Sequence, residues 1–208
     1  REHFDLFLRA IDGEGLAESD PHSPFGGGQG LQRIEPHSPG LRSRVWWGAG
    51  NRDSAEWAGR MGVNLMSSTL LTSADGRPFD ILQAEQIDAF RTSWREAGHA
   101  GTPRVSVSRS IFPITTAEDA MYFGGRSDGD QIGIIDGMRS TFGKTYAGTP
   151  DELVEQLQHD AAVREADTLM LTIPSQLGVA FNLRLVESFA RYVAPSLGWV
   201  PTKAVSTA

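Results

Sequence analysis

The sequence predicts an α/β fold in which parallel strands alternate with helices, and three observations predict it. Apolar residues alternate with small polar ones over 104–112, where Val105 and Val107 interleave with Ser106 and Ser108. Elsewhere, as over 80–97, apolar side chains (Leu82, Phe90, Trp94, Ala97) recur at helical spacing. The strand at 44–49 runs through glycines into a helix start. Strands that alternate with helices pair in parallel through right-handed crossovers.

The elements follow in order. Residues 2–11 read as a helix with Phe4, Leu8 and Ile11 on one face. Residues 12–43 carry Gly26-Gly27-Gly28 and two copies of Pro-His-Ser-Pro, at 21–24 and 36–39, and read as a long loop or insertion. A strand at 44–49, a helix at 53–61 and a strand at 63–67 come next, then the helix at 80–97 and the strand at 104–112. Short helices are expected at 115–123 and 132–142, separated by the glycine- and aspartate-rich run 124–130. Thr149-Pro150-Asp151-Glu152 is a capping box with proline at the first helical position, opening a helix to about residue 164. A strand at 168–173 and a helix at 182–193, ending before Pro195, complete the pattern.

Composition sets the outer bounds. A chain of 208 residues, 39% apolar and 22% charged, has the size and balance of one folded domain. A net charge of −7 with no Lys/Arg stripe argues against nucleic acid or an anionic membrane surface as partner. No apolar run approaches the roughly 18 residues of a membrane span, and residues 1–8 lack the apolar core of a signal peptide. With no cysteine there is neither a disulfide nor a thiolate metal site. Cytoplasm is the simplest compartment.

The segment Val45-Trp46-Trp47-Gly48-Ala49-Gly50-Asn51-Arg52-Asp53-Ser54 carries the most chemistry. Gly48 and Gly50 remove side chains that would block a ligand. The helix N-terminus beyond them offers unpaired N–H groups and a partial positive charge, which together hold a phosphate. Asn51, Arg52 and Ser54 add side-chain donors. Asp53-Ser54-Ala55-Glu56 reads as a capping box with Asp53 at the N-cap, and Gly62 ends the helix. A well-capped turn with no ligand has the same local pattern.

From Trp46-Trp47-Gly48-Ala49-Gly50-Asn51 to Gly62 the chain resembles the luciferase-like monooxygenases, flavin- or deazaflavin-using (β/α)8 barrels. Gly148-Thr149-Pro150-Asp151-Glu152-Leu153, Ala166-Asp167-Thr168-Leu169-Met170-Leu171 and Phe189-Ala190-Arg191-Tyr192-Val193-Ala194-Pro195 resemble that family's C-terminal signature in order and spacing. The resemblance covers most of residues 1–201. Only four strands alternate with helices here, against the eight of a closed barrel, so it implies the C-terminal half of a (β/α)8 barrel. Its free edges would be covered by another copy, or by pairing with a missing N-terminal half.

The resemblance also implies a function. It implies a flavin-dependent oxidoreductase, a monooxygenase that inserts oxygen from a flavin peroxide into a small organic substrate. The alternatives are an F420-dependent hydride-transfer enzyme and a non-catalytic flavin-binding or subunit fragment. The cofactor implied is FMN, or F420, with Gly50, Asn51, Arg52 and Ser54 at its phosphate. Serine is frequent in the family where this chain has Asn51, and Gly-Asp-Gly where it has Gly62-Val63-Asn64.

Ligands of such barrels sit at the C-terminal ends of the strands. That makes Ser67, Arg109 and Gln176 candidates for substrate contact, although Arg109 equally fits a salt-bridged arginine at a strand end. Trp46 and Trp47 could flank a flavin ring or pack the barrel. The run 119–130 reads as a mobile loop or lid. His22 and His37, near Asp20 and Glu35, lack the fixed spacing of metal ligands, and no metal is expected. No nucleophile-elbow, kinase or zinc-protease motif occurs, and no catalytic acid or base is assigned.

Overall fold

The computed structural model describes residues 2–20, 22, 30–72, 75–125 and 129–200. It divides into two compact units, residues 1–47 and 48–208. In the first, helix α1 (Glu2–Ile11) buries Leu8, Ala10 and Ile11. The expected 12–43 loop contains two short strands, β1 (Ala17–Glu18) and β2 (Leu31–Gln32), paired antiparallel. Arg42 meets Asp12 at 2.7 Å, and the Trp47 ring stands edge-on to Phe4 with centroids 5.0 Å apart. Most of the first Pro-His-Ser-Pro copy and the triple glycine lie outside the described residues.

Strand β3 (Trp46–Ala49) leads into the second unit through α2 (Arg52–Met61), β4 (Asn64–Ser67), β5 (Leu70–Leu71) and the long α3 (Phe79–Glu96). Then come β6 (Val105–Pro113), α4 (Ala117–Phe123), β7 (Gln131–Ile135), β8 (Met138–Phe142) and β9 (Thr145–Gly148). The chain continues through α5 (Pro150–His159), α6 (Ala161–Glu165), β10 (Thr168–Leu171) and α7 (Gly178–Tyr192). The main sheet has the order β10-β6-β4-β3, so its strands are neighbours in the order they occur along the chain. Both β4 and β10 run parallel to β6, with Leu65 opposite Val105 and Leu171 opposite Arg109. The short β9 lies parallel to the far half of β6, Ser110 opposite Thr145.

Alternation along β6 divides its side chains between two faces. Val105, Val107 and Ile111 are fully buried on the face that packs against helices, where Ile111 joins Tyr146, Leu153, Leu157, Phe189 and Val193. Leu65 of β4 is likewise fully buried.

Three sequence expectations are corrected. Residues 132–142 form no helix: β7 and β8 make an antiparallel hairpin turned by Asp136-Gly137, both with positive φ. An Asp-Gly pair between apolar residues, here Ile135 and Met138, favours that turn over a helix. The helix expected from Thr149 to residue 164 breaks at Asp160, whose side chain accepts from the Val163 N–H and caps a second helix. The helix after β3 starts at Arg52, with its cap two residues earlier than expected. Asn51, not Asp53, is its N-cap, because the Asn51 Oδ1 reaches the Ser54 N–H at 2.8 Å.

Candidate functional site

The turn after β3 runs through Gly50 into the N-terminus of α2. Asn51 has extended backbone and caps α2, while its carbonyl accepts the first helical bond from Ala55 at 3.2 Å. The N–H groups of Arg52 and Asp53, in the first turn, have no intrahelical acceptor by construction. A Cβ added at Gly50 would meet only the Leu70 carbonyl, at 3.8 Å, so the backbone is approachable there. Ser54 is half-buried, and the exposed Arg52 lies along the helix with its Nε 2.8 Å from Glu56. A cavity of about 180 Å³ adjoins the turn, bounded in part by Asn51, Arg52, Arg77 and Gln86. Asp53 in the first turn complements the helix dipole and places a carboxylate beside the same donors.

What fixes the turn is a buried amide belt. Gln86 donates to the carbonyls of Asn51 (2.9 Å) and Ala49 (3.3 Å), and its own oxygen accepts from Ser67 Oγ at 2.5 Å. Gln83 donates to Ser67 Oγ (2.9 Å) and to the Ser68 carbonyl (2.7 Å). Thr72 N–H adds a bond to the Gly50 carbonyl at 2.8 Å. Ser67, read from the sequence as a substrate contact, is therefore buried beneath the turn as part of its support.

Arg109 has a comparable position. It is 3% exposed, and its guanidinium meets the equally buried Asp160 through Nε (2.7 Å) and Nη2 (3.0 Å), with Nη1 donating to the Ser108 carbonyl at 2.9 Å. Tyr146 donates to Asp160 at 2.5 Å, and Asp160 also accepts from Val163 N–H at 2.9 Å. Burial alone would raise the Asp160 carboxyl, but the hydrogen bonds and charge of Arg109 outweigh it and hold the group below the usual carboxylate range. Burial, with Asp160 beside it, pushes the Tyr146 phenol well above its ordinary value. A cavity of about 510 Å³ lies over this cluster, with Phe79, Lys144 and His159 among its walls. Arg109 is thus spent on a buried ion pair, which is the salt-bridged alternative the sequence left open.

Gln176 sits exposed in the turn Ser175–Leu177 ahead of α7. Trp46 and Trp47 are half-buried. In the 119–130 run, Asp119 is buried and completes a capping box with Thr116 at the start of α4, while 126–128 lie outside the described residues. The His37 ring packs against Gly13, and the His22 N–H donates to Asp20 at 2.9 Å. Among the described residues no group of His, Cys, Asp and Glu side chains could hold a metal ion, and no helix is long and apolar enough to cross a membrane.

The sequence reading missed Gln83, Gln86 and the Tyr146–Asp160 pair. The glutamines did leave a signal: two amides in phase with Phe79, Leu82 and Phe90 on the buried side of α3.

Solved structures share this architecture. The oxygenating constituent of 3,6-diketocamphane monooxygenase from Pseudomonas putida, a type II Baeyer-Villiger monooxygenase in complex with FMN, matches 97% of this chain and 64% of its own, with a TM-score of 0.59 at 16% identity. The monooxygenase RslO1 from Streptomyces bottropensis matches 93% of this chain and 59% of its own, with a TM-score of 0.54 at 17% identity. MsnO8, solved without ligand, matches 96% and 60%, with a TM-score of 0.51 at 18% identity. The chain thus spans less than two thirds of the length of these structures, and the likeness shows the fold. No family model matches the sequence, and no curated protein does.

Proposed function

We propose that this chain is the C-terminal part of a luciferase-like (β/α)8 barrel that binds FMN and serves a monooxygenase acting on a small organic substrate. The observation that carries the reading is the turn Gly50–Ser54: an open helix N-terminus, glycine-bared and held by a buried amide belt, on a fold shared with an FMN-bound monooxygenase. The residues fit a phosphate: backbone N–H groups of the first turn, the Ser54 hydroxyl, and an Arg52 side chain held in an exposed intrahelical ion pair with Glu56. Gly50, Asn51, Arg52 and Ser54 would hold it. FMN bound there would supply the oxygen-activating redox chemistry. The chain's share is to anchor the phosphate, orient the ring and exclude water.

Sheet topology supports the barrel. The main-sheet strands are neighbours in the order they occur along the chain, as successive strands of a (β/α)8 barrel are. Strands β3 and β10 stand at the two ends of the order, and α7, beside β10, exposes Val179 (85%) and Leu183 (66%). These features support pairing with the rest of a barrel, or with a second copy. F420 is the alternative cofactor, since the same turn would serve its phosphate. Because the chain spans under two thirds of the matched structures, oxygenation by the isolated chain would await the remaining strands.

Fluorescence titration of the purified chain with FMN and with F420 tests the proposal, using Asn51→Ala/Ser54→Ala as the paired variant. Binding of one cofactor, lost in the variant, is the expected result. Binding of neither would sink the cofactor assignment.

A further inference from the structure

A strand of two residues, β5, stands between the Gly50–Ser54 turn and the β7–β8 hairpin. On one side it pairs antiparallel with β8, Leu70 opposite Phe142 and Leu71 opposite Thr141. The residue after it, Thr72, reaches the turn: its backbone N–H and its Oγ1 hydroxyl both donate to the Gly50 carbonyl, at 2.8 and 3.2 Å. The neighbouring carbonyls of Ala49 and Asn51 are held from α3 by Gln86, so Thr72 takes the one carbonyl between them. Leu71 is buried, packs with Phe79 and Leu82, and also lines the 180 Å³ cavity beside Asn51 and Arg52. A pairing this short has no stability of its own, so what holds β5 from outside sets the position of Thr72.

The hairpin is that outside support. Its inward strand is β8, with Ser140 and Thr141 buried, whereas β7 lies outermost in the order β5-β8-β7 and leaves Ile132 and Ile134 more than half exposed. The Asp130 carboxylate pins the base by accepting from the N–H groups of Phe79 (2.7 Å) and Lys144 (2.9 Å). Gly143 lies close against the Phe79 ring, where an added Cβ would come within 2.7 Å, and its N–H donates to the Thr69 carbonyl at 3.4 Å. The tip depends on local backbone geometry, with Asp136 and Gly137 at φ 49° and 79°. Backbone pairing thus runs without a break from the hairpin tip through β8 and β5 to Thr72, and from Thr72 to the Gly50 carbonyl.

We infer that Thr72 is a positioning residue for the Gly50–Ser54 turn and that the β7–β8 hairpin sets it, so that a change at the hairpin alters phosphate affinity from a distance. The inference rests on the phosphate reading above and adds what regulates that site.

Two readouts test it, and the first needs no flavin. Gly137→Val puts a β-branched residue at positive φ and strains the hairpin tip. Amide hydrogen exchange followed by NMR should then quicken at Thr72 and Ser54, whose N–H groups bond to Gly50 and Asn51, while the amides of β6 and α5 exchange as in the parent chain and report an intact fold. The second readout is fluorescence titration with FMN and with riboflavin, which lacks the phosphate. Gly137→Val and Thr72→Val should each weaken FMN about fivefold, the low end of coupling between linked sites, and leave riboflavin unchanged. Thr72→Ser, which keeps the hydroxyl, should restore FMN binding, and the double change should cost less than the product of the single ones, because both act through one route. A folded Gly137→Val chain that matches the parent in exchange at Thr72 and Ser54 and in FMN affinity overturns the inference and leaves the phosphate turn standing. Quickened exchange in a chain that binds neither flavin keeps the coupling and sinks the flavin reading.

Discussion

Two faces of one strand have been put to opposite uses. On the helix-facing side of β6, Val105, Val107, Arg109 and Ile111 are sealed in, and the one charged residue among them is matched by Asp160 through two hydrogen bonds. On the other side, Ser106, Ser108 and Ser110 form a row of hydroxyls, one of them buried without a partner. The contrast teaches that on this sheet the charged side chain serves the interior of the fold. The arginine is consumed by the fold, and the small neutral side chains are left with unspent hydrogen-bonding capacity.

The largest effect that would break the contrast is at the ion pair. Asp160→Ala strands a buried guanidinium and should cost about 3–5 kcal/mol in urea denaturation, whereas replacing Arg109, Asp160 and Tyr146 together by Met, Leu and Phe should recover most of that. Next comes the apolar layer: Leu153→Ala, at a fully buried position, should cost roughly 2–5 kcal/mol. Asn51→Ala removes the α2 cap and should cost about 1 kcal/mol. The smallest effect belongs to the hydroxyl face, where Ser108→Ala should leave stability within about 0.5 kcal/mol. A Ser108→Ala cost as large as that of Leu153→Ala would erase the distinction between the faces.

Acid sharpens the same comparison. The Asp160 carboxyl titrates below its unfolded value, so the stability it contributes is complete above the unfolded carboxylate range, about pH 4, and is lost as pH falls through the lower folded value. Denaturant midpoints measured from pH 6 down to 2 should drop below about pH 4. In Asp160→Asn the drop should be shallower, with the residue from Asp119 and Glu152, which are also held low. An unchanged profile in Asp160→Asn would mean that the buried pair contributes nothing through its charge.

Much of this was legible in the sequence. The Gly48–Ser54 turn, the Thr149 capping box and the interchange of strands and helices each follow from local chemistry. The Arg109 position was legible too, by phase: it is in step with Val105 and Val107, so its side chain had to enter the apolar layer, just as Ser67 is in step with Leu65. Its partner was not legible, because Asp160 lies 51 residues away and nothing local announces the pairing. The hairpin was misread because Ile132, Ile134 and Ile135 are apolar at spacings that fit either a short helix or a strand, and only Asp136-Gly137 decides. The cap shifted from Asp53 to Asn51 because both side chains can cap, and the backbone turned two residues sooner.

The amide of Gln86 ties the Asn51 carbonyl to the middle of α3, an 18-residue helix. A ligand that clamps the turn therefore also clamps that helix. Its arrival should register as slowed deuterium uptake along one side of Phe79–Glu96, a footprint remote from the contact itself and spaced at every third or fourth amide.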